Sequence, residues 1–448
     1  MRFSLRVFRL RNPAQYVALA CTVGVAVGAG LLALPVSREG PGSASFIQAV
    51  FTATSAVCVT GLTVVDTRTY WSGAGQAVIL GLIQVGGFGI MTLASLLGLL
   101  VARRLGLRTR LTAQAETKTL GLGDVRRVLL GVAAFSLAFE SITAIILTGR
   151  LATEYDEPLG QAVYHGVFHA VSAFNNAGFS LYSDNLVGFA TDPVISITIA
   201  LAVIVGGLGF PVLFELRREL LTPSTWTQHT RIVVWATGLL LVAGTAAVTA
   251  FEWSNPKTLG PLSIPGKLLA GFFQGVQPRT AGFNSLDYSE MNETTWLVTD
   301  MLMFIGGAPA GTAGGIKVTT FAVLAFMVIA EVRGDPDVHV HHRRIPPGSQ
   351  RQALSIAVLG MFAVTTGTLT LLAVSGENLA RVLFETVSAF STVGLSTGIT
   401  ADLPSSGQAI LIVLMFLGRV GTITLASALA LRARPRLYRR PEERPIIG

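Results

Sequence analysis

The chain has 448 residues, of which 51% are hydrophobic and only 13% are charged, whereas a soluble chain carries about 25% charged residues. A soluble protein of this length would form about three domains, and so few charged residues could not cover their water-facing surfaces. The net charge of +8 does not indicate a nucleic-acid-binding protein, because the basic residues separate long apolar runs instead of forming one solvated face. With only Cys21 and Cys58, a disulfide framework and a cysteine-rich zinc site are excluded. We therefore interpret the chain as an integral membrane protein.

Eight apolar segments are long enough to cross a bilayer as helices. They lie at about 13–36, 74–101, 127–149, 192–214, 231–251, 294–330, 352–374 and 406–431. The first exceeds the hydrophobic region of a signal peptide, so we expect it to be retained. Between each odd span and the next even one lies a shorter segment, at about 44–58, 160–175, 265–278 and 377–391. These segments predict re-entrant helices buried within the protein.

An internal repeat connects these elements. Four segments align on a glycine, ending at Gly61, Gly178, Gly282 and Gly394: FTATSAVCVTGL, FHAVSAFNNAGF, FFQGVQPRTAGF and FETVSAFSTVGL. A second signature, VGGFG, VGGLG, IGGAP or LGRVG, follows each glycine at a nearly constant distance. Two motifs that recur four times at this offset predict four tandem repeats of span, pore helix, short loop and span. Their boundaries are 1–102, 103–218, 219–334 and 335–448.

The basic residues set the predicted orientation. Of 33 lysines and arginines, 24 lie before the first span, after the even spans and in the C-terminal tail. By the positive-inside rule, both termini are cytoplasmic. The opposite loops hold 15 acidic and seven basic residues. They either concentrate cations at a vestibule or only occupy the side that the basic residues avoid.

The four glycine loops predict a cation-selectivity filter. Glycine allows the unusual backbone angles that turn successive carbonyls toward one axis, and a ring of carbonyls can replace the hydration shell of a monovalent cation. The short helices would direct their partially negative C-termini at the same cavity. The predicted ion-binding residues are Cys58, Val59, Thr60, Gly61, Asn175, Asn176, Ala177, Gly178, Thr280, Ala281, Gly282, Ser391, Thr392, Val393 and Gly394.

On these glycine segments and eight predicted spans, the chain resembles the Trk/Ktr/HKT superfamily of potassium transporters. It is most similar to the Ktr-type pore subunit, because Trk-type relatives usually carry further N-terminal spans. The resemblance implies that the four glycines belong to the filter. It also implies that Gly61 favours potassium, since members with serine there tend to prefer sodium. The residues before the glycines differ from the TVGYG of channels, so we expect one or two well-formed ion sites.

The resemblance also implies partners. They are membrane lipid, a second copy in a homodimer, and a cytoplasmic nucleotide-binding regulatory subunit of the RCK type; no nucleic acid is expected. The transported ion is potassium, with sodium as a candidate coupling ion and no covalent cofactor. A Trk-type subunit with another coupling ion and regulator is the alternative.

The sixth predicted span is interrupted by a glycine- and proline-rich run from Gly306 to Lys317. Such a run cannot form a regular helix, and its backbone needs polar surroundings within the pore. It is not a phosphate loop, because Ile316 separates Gly315 from the lysine. In the resembled family this segment is the intramembrane gate, although a mere kink is the alternative. The implied gate residues are Gly306, Gly307, Gly311, Gly314, Gly315, Lys317 and Arg419.

Two of these gate residues are ionisable and lie within apolar segments, where such groups are candidates for function. Arg419 stands where the other repeats have Gly87, Gly207 and Gly307. It could repel cations or hold gate carbonyls, or it could only join helices by hydrogen bonds. Lys317 could act in the gate or extend to the cytoplasmic surface.

Other polar residues are weaker candidates. Glu140 could carry a proton or sodium, but a hydrogen-bonding role between helices is favoured. His165 and His169 have a zinc-compatible spacing, but without a third ligand packing is favoured. Arg279 is expected to point away from the pore toward the pore helix. We expect His339, His341 and His342 to form a hydrophilic cytoplasmic loop.

An intramembrane enzyme is the alternative from another functional class. It would need converging nucleophile and base groups at bilayer depth, but the spans offer mainly Glu140, Lys317 and Arg419. We therefore predict no enzyme. The prediction is an all-α polytopic membrane protein with four tandem repeats around one central pore, moving potassium inward across the plasma membrane of a bacterium.

Overall fold

The computed structural model describes residues 13–104, 125–340 and 343–421 and is mostly helical. The helices are α1 (Pro13–Leu32), α2 (Phe46–Val57), α3 (Thr67–Tyr70), α4 (Gly73–Arg104), α5 (Val125–Glu154), α6 (Leu159–Phe174), α7 (Pro193–Leu208), α8 (Phe210–Glu219), α9 (Gln228–Glu252), α10 (Ile264–Val276), α11 (Glu293–Phe304), α12 (Val318–Arg333), α13 (Pro347–Ser375), α14 (Leu379–Ser391) and α15 (Ser405–Phe416). A π-helical turn, Leu417–Gly421, follows α15. Three basic segments on which the predicted orientation depends, residues 1–12, 105–124 and 422–448, lie outside the described residues.

Four short helices, α2, α6, α10 and α14, occupy the positions predicted for re-entrant segments. Three begin at side-chain caps, which satisfy N–H groups that lack a helical partner. In α2, the Ser45 N–H donates to Gln48 Oε1 (3.2 Å) and the Gln48 N–H to Ser45 Oγ (3.4 Å). The Ser263 and Asn378 side chains cap α10 and α14. With 12 to 16 residues, these helices are too short to cross about 30 Å of hydrocarbon.

The helix contacts close into a ring around these short helices. Each short helix packs against the long helix before it, in the pairs α1–α2, α5–α6, α9–α10 and α13–α14. The helix after each short helix packs against the short helix of the next repeat, in the pairs α4–α6, α7–α10, α11–α14 and α15–α2. The last pair joins the fourth repeat to the first.

The outer faces of the long helices are apolar, which suits contact with lipid and not with water. On α9, for example, Trp235 is 73% exposed and Leu239 is 70% exposed. Within the described residues, Leu129–Glu154, Gln228–Glu252 and Pro347–Ser375 are long and apolar enough to cross a membrane, and the bent pair α7 and α8 could form a fourth span. Shorter apolar helices cover Val17–Leu32, Phe46–Val57, Gly73–Gly89 and Ser405–Gly421.

The fourth predicted span is not the continuous helix that the sequence suggested. Helices α7 and α8 meet at a bend of 103°, and Gly209 at the bend has φ +82° and ψ 141°. This conformation is almost restricted to glycine. The interrupted segment of the sixth span lies at this bend. The Phe210 N–H, directly after the bend, donates to the Ala310 carbonyl of that segment (3.2 Å).

The segment expected to be a hydrophilic loop near His339 is also more ordered than predicted. Two short antiparallel strands, β1 (His339–Val340) and β2 (Arg343–Arg344), pair there. The Val340 carbonyl accepts a hydrogen bond from Gln228 Nε2 (2.9 Å), which ties this pair to the start of α9. His341 and His342 lie outside the described residues.

Candidate ion pathway

Each short helix leads directly into one of the predicted filter segments, and these segments share one backbone pattern. The residue two positions before the glycine has a positive φ in every repeat: Val59 (54°), Asn176 (58°), Thr280 (66°) and Thr392 (51°). The glycines follow the same pattern: Gly61 (93°), Gly178 (69°), Gly282 (75°) and Gly394 (97°). Left-handed conformations are unfavourable for residues with a side chain. A conformation that recurs in all four segments therefore indicates that the surrounding structure imposes it.

The four glycines lie against one another in a closed ring. A Cβ atom added to any of them would collide with the carbonyl oxygen before the next glycine. The pairs are Gly61 with the Ala177 carbonyl, Gly178 with that of Ala281, Gly282 with that of Val393, and Gly394 with that of Thr60. The Cβ of Gly61 would also lie 3.1 Å from the Cα of Gly178. The four segments thus meet around one axis, and no side chain fits at the glycine positions.

Hydrogen bonds to the end of each short helix hold the segments in place. The Thr60, Ala177 and Val393 N–H groups donate to Ser55, Ser172 and Ser388 carbonyls at 2.7 to 2.9 Å. The hydroxyls of Ser55 and Ser388 also accept from the Gly61 and Gly394 N–H groups, both at 3.1 Å. In the third repeat Gln277 Oε1 accepts from the Phe283 N–H (3.2 Å). These bonds fix the backbone of each segment relative to the end of its short helix.

Several buried hydroxyls of the segments lack a protein partner. Within the described part of the chain, Thr60 Oγ1, Thr280 Oγ1, Thr392 Oγ1 and Ser391 Oγ have no hydrogen bond. Buried polar atoms are normally satisfied, so unpaired oxygens at this place suit a bound cation or water. Cys58 and Asn175, which were also predicted to bind ions, are buried and directly follow the last turns of α2 and α6.

A close contact explains why the second signature follows the filter glycine at a nearly constant distance. A Cβ at the leading glycine would collide with the carbonyl at the end of the short helix of the same repeat: Gly86 with Val57, Gly206 with Phe174, and Gly418 with Phe390. In the third repeat, Gly306 instead meets the Gly314 carbonyl. In the first, second and fourth repeats the signature is therefore a contact between the second helix of the repeat and the end of its short helix.

The glycine-rich run of the sixth span separates α11 from α12 and is tied to itself and to α7. The Gly306 N–H donates to the Ile316 carbonyl (2.8 Å). The Ala308 and Thr312 N–H groups donate to the Gly207 and Gly206 carbonyls at 2.9 and 3.1 Å. These carbonyls lie in the last turn of α7, next to the bend, where a helix has no N–H of its own for them.

The same loop lies directly against the filter. Thr312 Oγ1 is 2.9 Å from the side-chain amide of Asn176. A Cβ at Gly314 would collide with the Thr392 hydroxyl, and one at Gly315 would lie 3.2 Å from Ser391 Cα. The structure therefore brings the predicted gate residues together with the second and fourth filter segments.

Both ionisable residues singled out from the sequence contact this loop. Arg419, which is 1% exposed, donates through Nη1 to the Thr312 carbonyl. Its Nε and Nη2 have no hydrogen-bond partner among the described residues. Lys317 Nζ donates to the carbonyls of Ala313 (2.5 Å) and Gly314 (3.1 Å). The loop thus receives charge-assisted hydrogen bonds, which are stronger than neutral ones.

Other polar residues take structural positions around the filter. His169 bonds with the His165 carbonyl (2.8 Å) and the Ser180 hydroxyl (3.0 Å), and His165 pairs with Glu157 (2.9 Å). Both histidine rings are thus held by protein groups. The described residues contain no group of three or more His, Cys, Asp and Glu that could hold a metal ion. Arg279 lines a small cavity together with Val276 and residues of α7 and α9.

The polar residue that holds the segment directly after the fourth filter glycine was not identified from the sequence. Glu385, completely buried in α14, accepts from the Thr397 N–H (3.0 Å) and the Thr400 hydroxyl (2.8 Å). In the aligned repeats, Glu385 of the fourth repeat occupies the position that His169 has in the second repeat. The alignment of the repeats contained this signal, since a charged residue replaced an uncharged one within a pore helix.

The apolar helical ring and its four converging glycines define a membrane protein of the cation-transport class. Residues 26–434 match the model of a family described as TrkH, cation transport protein. The chain therefore belongs to the TrkH family.

Similar proteins cover nearly the whole chain. It is 42% identical to the Ktr system potassium uptake protein B of Bacillus subtilis, over 94% of this chain and 93% of the relative. It is 33% identical to the potassium/sodium uptake protein NtpJ of Enterococcus hirae, over 99% of both. The crystal structure of the potassium transporter TrkH from Vibrio parahaemolyticus superimposes with a TM-score of 0.71 at 19% identity, covering 95% of this chain and 86% of that one. That likeness bears on the fold alone.

Proposed function

We propose that this chain is the pore-forming subunit of a Ktr-type potassium uptake system of the bacterial plasma membrane. The ring of four glycines carries this proposal, because it brings four backbone segments of one chain around one axis. The high identity to potassium uptake proteins over nearly the full length supports potassium as the transported ion. The relatives and the family are transporters, so we propose no enzymatic activity.

The chemistry of the filter suits a dehydrated monovalent cation. Carbonyls of Thr60, Ala177, Ala281 and Val393 lie at the ring, and unpaired hydroxyls lie beside them. Neutral oxygen dipoles can replace the water around potassium without binding it too tightly to leave. A side chain at Gly61 or at any of its three counterparts would collide with these carbonyls, so glycine at the four positions allows the carbonyls to lie at the ring.

The loop from Gly306 to Lys317 would be the gate below this filter. Its contacts with Asn176 and Ser391 support this role, since a segment beside two of the filter segments would be in a position to close the path. Arg419 and Lys317 would stabilise the closed position through the loop carbonyls. Opening then requires a state in which these bonds are replaced.

The proposed arrangement comprises eight membrane spans in four repeats around one pore, with both termini in the cytoplasm. The closed ring of helix contacts supports one pore within each chain. The family resemblance favours a homodimer with a nucleotide-binding RCK-type subunit on the cytoplasmic side. A Trk-type system with another regulator and coupling ion is the second candidate, and the name of the Enterococcus relative keeps sodium as a candidate ion.

The proposal is tested by potassium-limited growth of an uptake-deficient bacterial host that expresses the chain together with its regulatory subunit. We expect growth at potassium concentrations where the empty host fails, and a comparison with and without sodium then identifies coupling. A correctly inserted protein that supports no growth and no uptake of rubidium tracer would contradict the proposed function.

A further inference from the structure

A buried acidic residue behind the second filter segment has no part in the proposed ion path. Glu140 lies in the middle of α5 and is 5% exposed. Carboxyl groups within membrane-spanning helices are costly, and a leucine could fill this position without that cost. The contacts of this carboxyl group therefore need an explanation.

Glu140 joins three different helices through amide groups. Gln84 Nε2, from α4, donates to both carboxyl oxygens at 3.1 and 3.2 Å. Asn175 Nδ2, at the end of α6, donates to Glu140 Oε1 (3.1 Å) and to Gln84 Oε1 (2.9 Å). The three side chains form a closed cluster in which each contacts the other two. Such a polar network fixes a unique arrangement when its members are satisfied.

The cluster ends on the filter itself. Asn175 ends α6 in a right-handed conformation (φ −79°, ψ −1°), and the next residue, Asn176, has a positive φ of 58°. Cys58 makes the same turn at the end of α2 (φ −76°, ψ −6°), so the turn itself is common to both repeats, whereas the side-chain cluster joined to it is described here only for Asn175. On its other side, Asn176 contacts Thr312 of the loop, so this segment is held from two directions.

The glycine signature of the first repeat makes room for this arrangement. A Cβ at Gly87 would collide with the side-chain oxygen of Asn175 and would lie 2.7 Å from its Cγ. Gly87 is therefore the slot in α4 that admits the asparagine. The cluster is thus built by two repeats, with Gln84 and Gly87 from the first and Glu140 and Asn175 from the second.

We propose that Glu140 is a positioning residue for ion selectivity: through Gln84 it holds Asn175, and thereby the second filter segment, while itself binding no transported ion. This inference rests on the proposed filter function. Removing the carboxyl group deprives Gln84 Nε2 of the two oxygens it donates to, so Gln84 can turn and withdraw the Oε1 atom that accepts from Asn175. Asn175 Nδ2 then keeps the Val171 carbonyl (2.9 Å), within its own helix, as its acceptor. The second segment loses its fixed starting point, so its carbonyls discriminate less well between potassium and sodium.

The test compares four variants of the full-length chain in liposomes: Glu140→Ala, Glu140→Gln, Gln84→Ala and the control Thr143→Ala. Thr143 is a buried polar residue of the same helix, three positions away and 5% exposed. The measurement is the sodium concentration, relative to potassium, that halves the uptake of rubidium tracer. Loss of one buried partner should reduce the discrimination by about fivefold or more in Glu140→Ala and Gln84→Ala.

Glu140→Gln should restore most of the discrimination, because its carbonyl oxygen can still accept from both amides. Thr143→Ala should behave like the wild type. Unchanged discrimination in Glu140→Ala and Gln84→Ala, or an equal loss in Thr143→Ala, would overturn the proposal. Should Glu140→Ala fail to insert, Gln84→Ala alone decides, because Gln84 is only half-buried.

A second readout separates this inference from the proposed function. The thermal midpoint of the purified protein is measured in potassium and in sodium, which reports ion binding to the filter without flux. Wild-type protein that is stabilised by potassium yet carries no tracer would contradict the transport function and leave the positioning role testable. If the preference for potassium then persists in Glu140→Ala, the positioning role is wrong.

Discussion

The guanidinium of Arg419 donates a hydrogen bond to the backbone carbonyl of Thr312, a residue 107 positions earlier in the chain. Thr312 in turn contacts the side-chain amide of Asn176 in the second filter segment. One residue of the loop thus connects the last described helical turn with the filter. A change at either end of this connection should therefore affect ion flux.

Arg419→Ala, or deletion of the loop between Gly306 and Gly315, should raise potassium flux and weaken its dependence on the cytoplasmic partner. The reason is that a charge-assisted bond to a buried group contributes about 1.5–3 kcal/mol, and here it would favour the closed loop. Flux into liposomes is measured with and without the regulatory subunit. A correctly inserted variant with no flux, or with wild-type flux in both forms, would show that the loop is structural.

Gly61→Ser should impair potassium selectivity. The space beside Gly61 is filled by the Ala177 carbonyl and by Gly178, and a side chain there displaces the ring. The matched control is Gly81→Ser on α4, where no atom lies within 4 Å of the added Cβ. Relative potassium and sodium uptake of both variants is the measurement. Equal selectivity in Gly61→Ser and wild type would remove Gly61 from the filter.

Gly209→Ala should destabilise the bend between α7 and α8. The added Cβ would lie 2.5 Å from the Pro309 carbonyl, and the backbone angles there are unfavourable for alanine by about 1–3 kcal/mol. We expect a lower thermal midpoint of the purified protein. Gly238→Ala, at an open position on α9, should retain or raise it. Equal midpoints for Gly209→Ala and wild type would show that the bend relaxes without strain.

The proposal of one pore within each chain makes a prediction for the proposed dimer. A tandem fusion of two chains, in which one carries an inactivated filter, should keep about half of the potassium flux, because each pore works separately. Placing the inactive copy first or second controls for position. Complete loss of flux from both fusions would point to a pore shared between the chains.

The sequence by itself determined the positions of the four predicted filter segments and of the interrupted span. Repetition made the glycines visible, since four copies of one pattern at similar spacing exclude coincidence. The break between Gly306 and Lys317 followed from local chemistry, because a run of several glycines with a proline strongly disfavours a helix. Both features depend on residues that are close together in the chain.

Only the tertiary structure decided which segments touch. The neighbour order of the four glycines, the bend at Gly209 and the cluster of Gln84, Glu140 and Asn175 all join residues from different helices. Gly209 shows the reason: one glycine within an apolar helix is tolerated at a small cost, so its bend becomes favourable only where another segment fills the space. In the sequence Glu140 is likewise a single carboxyl group in an apolar segment, and only the packing of the helices shows that two amide groups lie beside it.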